Sequence, residues 1–258
     1  MTASPSTTQA CCDLTDRGWR SCVLLWLLGL PGASALAWGM LPEWLADLGL
    51  VGVPVDFSLL CMGGLAVVLA MCVALGCRLG PGLGLRAPVL TAWASGRPVR
   101  HLMAQQVLPG MAGGILGAVL LISLALIWPE SLPLIDPVYA MPLSVKLLYG
   151  GITMELVTRL GGLTLVMWLL WRLAGSPEQA PDWRLGAAAV LLCALLWGAA
   201  ELALALALAG DWPMHMGWPL LLCETIYGAL AGFLFWRHGL ESAIFAHLIT
   251  YLLSHGLG

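Results

Sequence analysis

The sequence predicts an all-α, polytopic transmembrane bundle of about seven spans, and three observations predict it. Hydrophobic residues make up 60% of the 258 and charged residues only 10%, whereas a water-facing domain carries about 25% charge. Mean hydropathy is +0.91. Apolar runs of the roughly 20 residues needed to cross a hydrocarbon core recur along the whole chain.

Taken in order, residues 1–20 are polar and rich in Ser and Thr, which predicts a short disordered tail. Spans are expected at 21–40, 57–77, 107–128, 146–171, 185–209, 217–236 and 239–256. The first run ends near Pro31 with Ala33-Ser34-Ala35 behind it, which leaves a cleaved signal peptide open beside the preferred uncleaved span. Residues 41–55 mix Trp44, Leu45 and Leu48 with Glu43 and Asp47, a pattern for a short helix or loop in the outer interface. Residues 78 to 105 form the one long connection, rich in Gly, Pro and Arg. Trp128, Trp171, Trp183, Trp212, Trp218 and Trp236 fall near span ends, where an indole keeps its ring in the interface and its N–H in water.

Charge predicts orientation. Arg17 and Arg20, then Arg78, Arg86, Arg97 and Arg100, then Arg172 and Arg184, then Arg237 all fall on alternate connections. Basic loops are retained in the cytoplasm, so the N-terminus is expected inside and the C-terminus outside. The other connections hold Glu43, Asp47, Asp56, Glu130, Asp136 and Asp211, with Lys146 at the mouth of the fourth span. A net charge of -3 without a basic, aromatic-laced patch argues against a nucleic-acid partner.

The eight cysteines form no Cys-x-x-Cys pair or extramembrane framework, so neither disulfide nor zinc is expected. Gly110 with Gly114, Gly113 with Gly117, and Gly228 with Gly232 are spaced for close helix approach.

Ionisable groups at bilayer depth are costly unless paired or hydrated, so they mark candidate sites. Glu155 and Arg159 stand one turn apart on the fourth span and can pair. Glu201 on the fifth has no partner at that spacing and must be met by another helix or be protonated. Both lie roughly 24 Å from the Arg-bearing ends of their spans. His247 and Tyr251 share a face of the last span at similar depth, and Glu224 on the sixth can join them. Glu241, His238 and His255 sit near span ends and are expected to be solvated. One membrane histidine with a few carboxylates is a poor metal set, so no metal or other cofactor is expected.

Three stretches resemble the CPBP family of CAAX-processing and bacteriocin-processing membrane endopeptidases. The family's Glu-Glu-x-x-x-Arg is similar to Met154-Glu155-Leu156-Val157-Thr158-Arg159; its Phe-Gly-x-x-His-Leu to Trp197-Gly198-Ala199-Ala200-Glu201-Leu202. Its terminal His-x-x-x-Asn or Asp is similar to His247 followed by Tyr251, within Gly228 to Tyr251. The resemblance covers residues 145 to 256 and divides the chain into a tail (1–20), scaffold helices (21–144) and a CPBP-like core (145–258). It implies peptide-bond hydrolysis by Glu- and His-activated water, in a bacterial inner membrane, on a membrane-associated peptide or lipidated protein. By position, the family's roles fall on Met154, Glu201, His247 and Tyr251, with Glu155 and Arg159 beside them. Methionine has no proton chemistry, so base duty passes to Glu201 and the oxyanion to Tyr251, or the chain is a pseudoenzyme. A second functional class is a proton-coupled transporter or channel using Glu155, Glu201, Glu224 and His247 as a relay.

Overall fold

The computed structural model describes residues 7–47, 55–128, 141–174, 181–209 and 217–254. Every regular element among them is helical. Helix α1 (Thr7–Ala35) passes through a widened π-helical stretch (Leu36–Met40) into α2 (Leu41–Asp47). Then come α3 (Val55–Leu79), α4 (Pro88–Ala94), α5 (Arg100–Ile127), α6 (Leu143–Leu173), α7 (Trp183–Ala209), α8 (Trp218–Arg237) and α9 (Leu240–Ser254).

Six of these helices are long and apolar enough to cross a membrane, and α9 is a shorter apolar one. Their outward faces stay hydrophobic: Leu60, Leu108 and Leu126 are each more than 70% exposed. That surface is stable only against lipid, so the chain is an integral membrane protein with an all-α polytopic bundle.

Two expectations change. Helix α1 begins at Thr7, so residues 7–20 are helical where a disordered tail was expected. The connection from residue 78 is partly ordered: Leu83, Leu85, Ala87 and Val89 are buried, α4 forms inside it, and α5 already starts at Arg100. The short helix expected within residues 41–55 is α2, while residues 48–54 lie outside the described part.

Helix α6 is the axis. It packs against α1 and α3 on one side and against α7, α8 and α9 on the other. Leu156, Leu160, Leu163 and Met167 of α6 join Leu25, Leu69, Val73 and Phe235 in the main core, each at most 5% exposed. Thr153 Oγ1 donates to Gly29 O of α1 (2.7 Å), a contact allowed by Gly32, whose missing side chain would collide with Leu148 O.

Two stretches of α6, Lys146–Thr153 and Leu156–Leu163, are π-helical, leaving Met154 and Glu155 between them. Such widened turns occur mostly as local bulges at functional sites, and no residue pattern announces them. Gly150 lies in the first stretch and Gly161 in the second, and a Cβ there would meet Tyr251 of α9 and Cys72 of α3 at under 3 Å. Neighbouring helices press closely on the axis just where its ladder is irregular.

Candidate functional site

The site starts from the fully buried Glu155, which sits between the two π-helical stretches with 0% exposure. An ion at such depth needs partners, and Glu155 has two. One turn along, Arg159 Nε lies 3.4 Å from Glu155 Oε2. This expected pair is a charge contact, since neither atom has a well-aligned hydrogen bond among the described residues. Arg159 Nη1 instead donates to Thr158 Oγ1, whose own proton goes to Met154 O.

The second partner comes from α9. His247 Nδ1 is 2.7 Å from Glu155 Oε1, across 92 residues of sequence. A carboxylate facing a guanidinium can only accept, so the proton of this bond belongs on Nδ1. The ring is held further by Tyr227 (centroids 4.9 Å apart, edge-on) and Tyr251 (4.7 Å). Carboxylate and two rings together fix its orientation and leave Nε2 for the space in front.

That space is a cavity of about 120 Å³ between α6, α7, α8 and α9. Met154, Arg159, Glu201, Glu224, His247 and Tyr251 all line it. They reach it by ordinary helical spacing. Trp197, Glu201 and Leu204 share a face of α7; Glu224 and Tyr227 a face of α8; His247, Thr250 and Tyr251 a face of α9. Trp44, Met141, Lys146 and Ser254 line it nearer the helix ends that lie away from the arginine-bearing connections.

The candidate residues thus converge, with one distinction. Glu155 does not line the cavity; it stands behind His247 and acts through it. Glu201 does line it, half-buried, with no hydrogen bond or ion pair to a described residue. Glu224 of α8 and Tyr149 of α6 line the same space, so it shares the cavity with another carboxylate and a phenol.

Glu241 is a correction. It was expected to be solvated at its span end, yet it is 6% exposed and accepts a hydrogen bond from Leu90 N (2.9 Å). The folded-back connection brings the first turn of α4 over it, so it caps that helix. His238 is exposed, as expected, and His255 lies outside the described residues.

Tyr149, Tyr227 and Lys146 were not picked out as site residues from the sequence, yet all three line the cavity. A signal existed: the chain has only four tyrosines, and three of them, Tyr149, Tyr227 and Tyr251, face this one space.

The polar zone ends at Arg159. Beyond it, Leu163, Val190, Ala194 and Gly232 leave a void of only about 10 Å³. Leu156, Leu163, Met167 and Phe235 are each at most 1% exposed, a dry plug across the bundle. A larger space of about 770 Å³ near the opposite helix ends is lined by Cys22, Cys77, Arg78, Arg86 and Leu160 and holds no carboxylate. Among the described residues no three His, Cys, Asp or Glu side chains gather as a metal site.

No family model, curated protein or solved structure matches the chain. The class that fold and site define is a multi-spanning helical membrane protein with a buried carboxylate–histidine pair on a polar cavity.

Proposed function

We propose that the chain is a CPBP-like intramembrane endopeptidase with an altered catalytic set, working in a bacterial inner membrane with its N-terminus cytoplasmic. One observation carries this reading: the Glu155–His247 bond on a cavity that Glu201 and Tyr251 share.

The chemistry follows from the protons. With Nδ1–H held by Glu155, Nε2 has the lone pair and accepts a proton from water as the hydroxide attacks a peptide carbonyl. Glu201 accepts a hydrogen bond from the water's other O–H, which stays intact, and orients the attacking oxygen. The Tyr251 hydroxyl donates to the developing oxyanion. His247 then returns its proton to the leaving amine as the C–N bond breaks, which leaves a free acid and a free amine. Base duty falls on His247 because Met154 has no proton to exchange.

The dry plug beyond Arg159 favours this reading over a transporter, which needs a polar path to both faces. The test is reconstitution with a prenylated CAAX peptide and a panel of membrane peptides. The parent should cleave at least one of them, and His247→Ala and Glu201→Gln should each lower the rate by about 100-fold or more. Cleavage by both variants at the parent's rate would sink the assignment. A parent rate no higher than protein-free vesicles would leave a binding scaffold.

A further inference from the structure

We propose that the cavity contains a subsite for an organic cation, built on Glu224, that takes the basic side chain of a peptide substrate. The inference rests on the endopeptidase reading for the word substrate, and on the cavity alone for the cation.

Charge comes first. The charged lining groups besides the histidine are Lys146, Arg159, Glu201 and Glu224. Arg159 is offset by Glu155 at 3.4 Å, which leaves two formal negative charges, on Glu201 and Glu224, and the positive one of Lys146 in the lining. One net negative charge remains, in a space walled by bundle helices where water cannot screen it fully. Glu201 on α7 and Glu224 on α8 both line this space.

The walls make the second, independent observation. Trp197, Tyr149, Tyr227 and Tyr251 present aromatic rings to the same space. Rings beside carboxylates recognise ammonium and guanidinium groups by their electron-rich faces. Tyr227 is 6% exposed and lines the cavity, with its hydroxyl beside the Thr250 side chain. At about 120 Å³ the space suits the end of one long side chain.

Glu224 is outside the proposed catalytic set, so recognition separates from cleavage. The test uses the full chain carrying His247→Ala, which holds peptide without turning it over. Two apolar peptides are compared, one with a single Arg and one with the uncharged isostere citrulline at that position. The Arg peptide should bind about tenfold more tightly, a difference of about 1.4 kcal/mol. Adding Glu224→Gln should erase that ratio. Adding Trp197→Leu, which leaves both carboxylates in place, should reduce it. Equal affinities for the two peptides, or a ratio that survives Glu224→Gln, would overturn the subsite. Displacement of the Arg peptide by choline-headgroup lipid would assign the cation to a lipid and overturn the peptide assignment. Cleavage by His247→Ala at the parent's rate with the ratio intact would overturn the catalytic reading alone, whereas lost cleavage with equal affinities would overturn the subsite alone.

Discussion

Helix α9 has two boundaries that differ in kind. Toward α5 it is closed by small residues. A Cβ on Gly110 or Gly114 would meet Phe245 Cβ or Ile249 Cβ at 2.6 Å, and one on Gly117 would meet Thr250 Oγ1, so the helices approach as closely as backbones allow. Toward α7 it faces the cavity. There α7 packs on α8 and on the 156–163 stretch of α6, and stands away from the 146–153 stretch. One boundary gains from dispersion and the other is kept apart by groups that cannot be left dry. Close packing on one side lets α9 hold His247 steadily over an open space on the other.

The largest expected effect comes from breaking the charge cluster that joins the two. Glu155→Ala leaves Arg159 buried without its counter-charge and His247 Nδ1 without its acceptor. Removing one partner of a buried pair costs about 3–5 kcal/mol. Reversible unfolding in mixed micelles should show that loss. Glu155→Leu combined with Arg159→Met should recover most of it, since no orphan charge remains. A single-variant cost below about 1 kcal/mol would mean that the pair does not organise the bundle.

This cluster also marks how far the sequence was legible. Spans, the Glu155–Arg159 pair and the common depth of Glu201 and His247 follow from local rules: run length, one-turn spacing and rise per residue. The Glu155–His247 bond does not, because it depends on how α6 and α9 are rotated and slid against each other. The π-helical turns around Glu155 set that rotation and leave no residue pattern. Glu241 was misread for a related reason. Its solvation hung on the path of the connection from 78 to 105, and that path folds back to place Leu90 N over the carboxylate.

The closed boundary should respond next. Gly114→Val inserts a branched side chain where even a Cβ meets Ile249 and Ala246 O at under 3 Å. Backbone cannot yield as a side-chain tip can, so a loss of about 1–3 kcal/mol is expected in the same unfolding measurement. His247 would shift with α9, and any peptide cleavage should fall with it. Unchanged stability would show that the seam is looser than the glycines imply.

Polar contacts at the start of that seam give a smaller effect. Gln106 is 3% exposed; it donates to His238 O (3.0 Å) and accepts from Ser242 Oγ (2.7 Å). Gln106→Ala removes both bonds. Ser242 Oγ keeps a second acceptor in Gln106 O at 3.1 Å, so a loss of about 1–2 kcal/mol is expected, visible as a lower unfolding midpoint.

The smallest effect belongs to the open side and makes the sharpest contrast. Leu204 lines the cavity from α7 and is 43% exposed, so truncation there opens no sealed void. Leu204→Ala should change stability by no more than about 0.5 kcal/mol. Leu163→Ala, at a fully buried position of α6, should cost about 2–5 kcal/mol. Equal costs at the two leucines would mean that α7 is packed onto α6 along its whole length in the membrane. The cavity would then be closed, and substrate could reach His247 only after α7 moved.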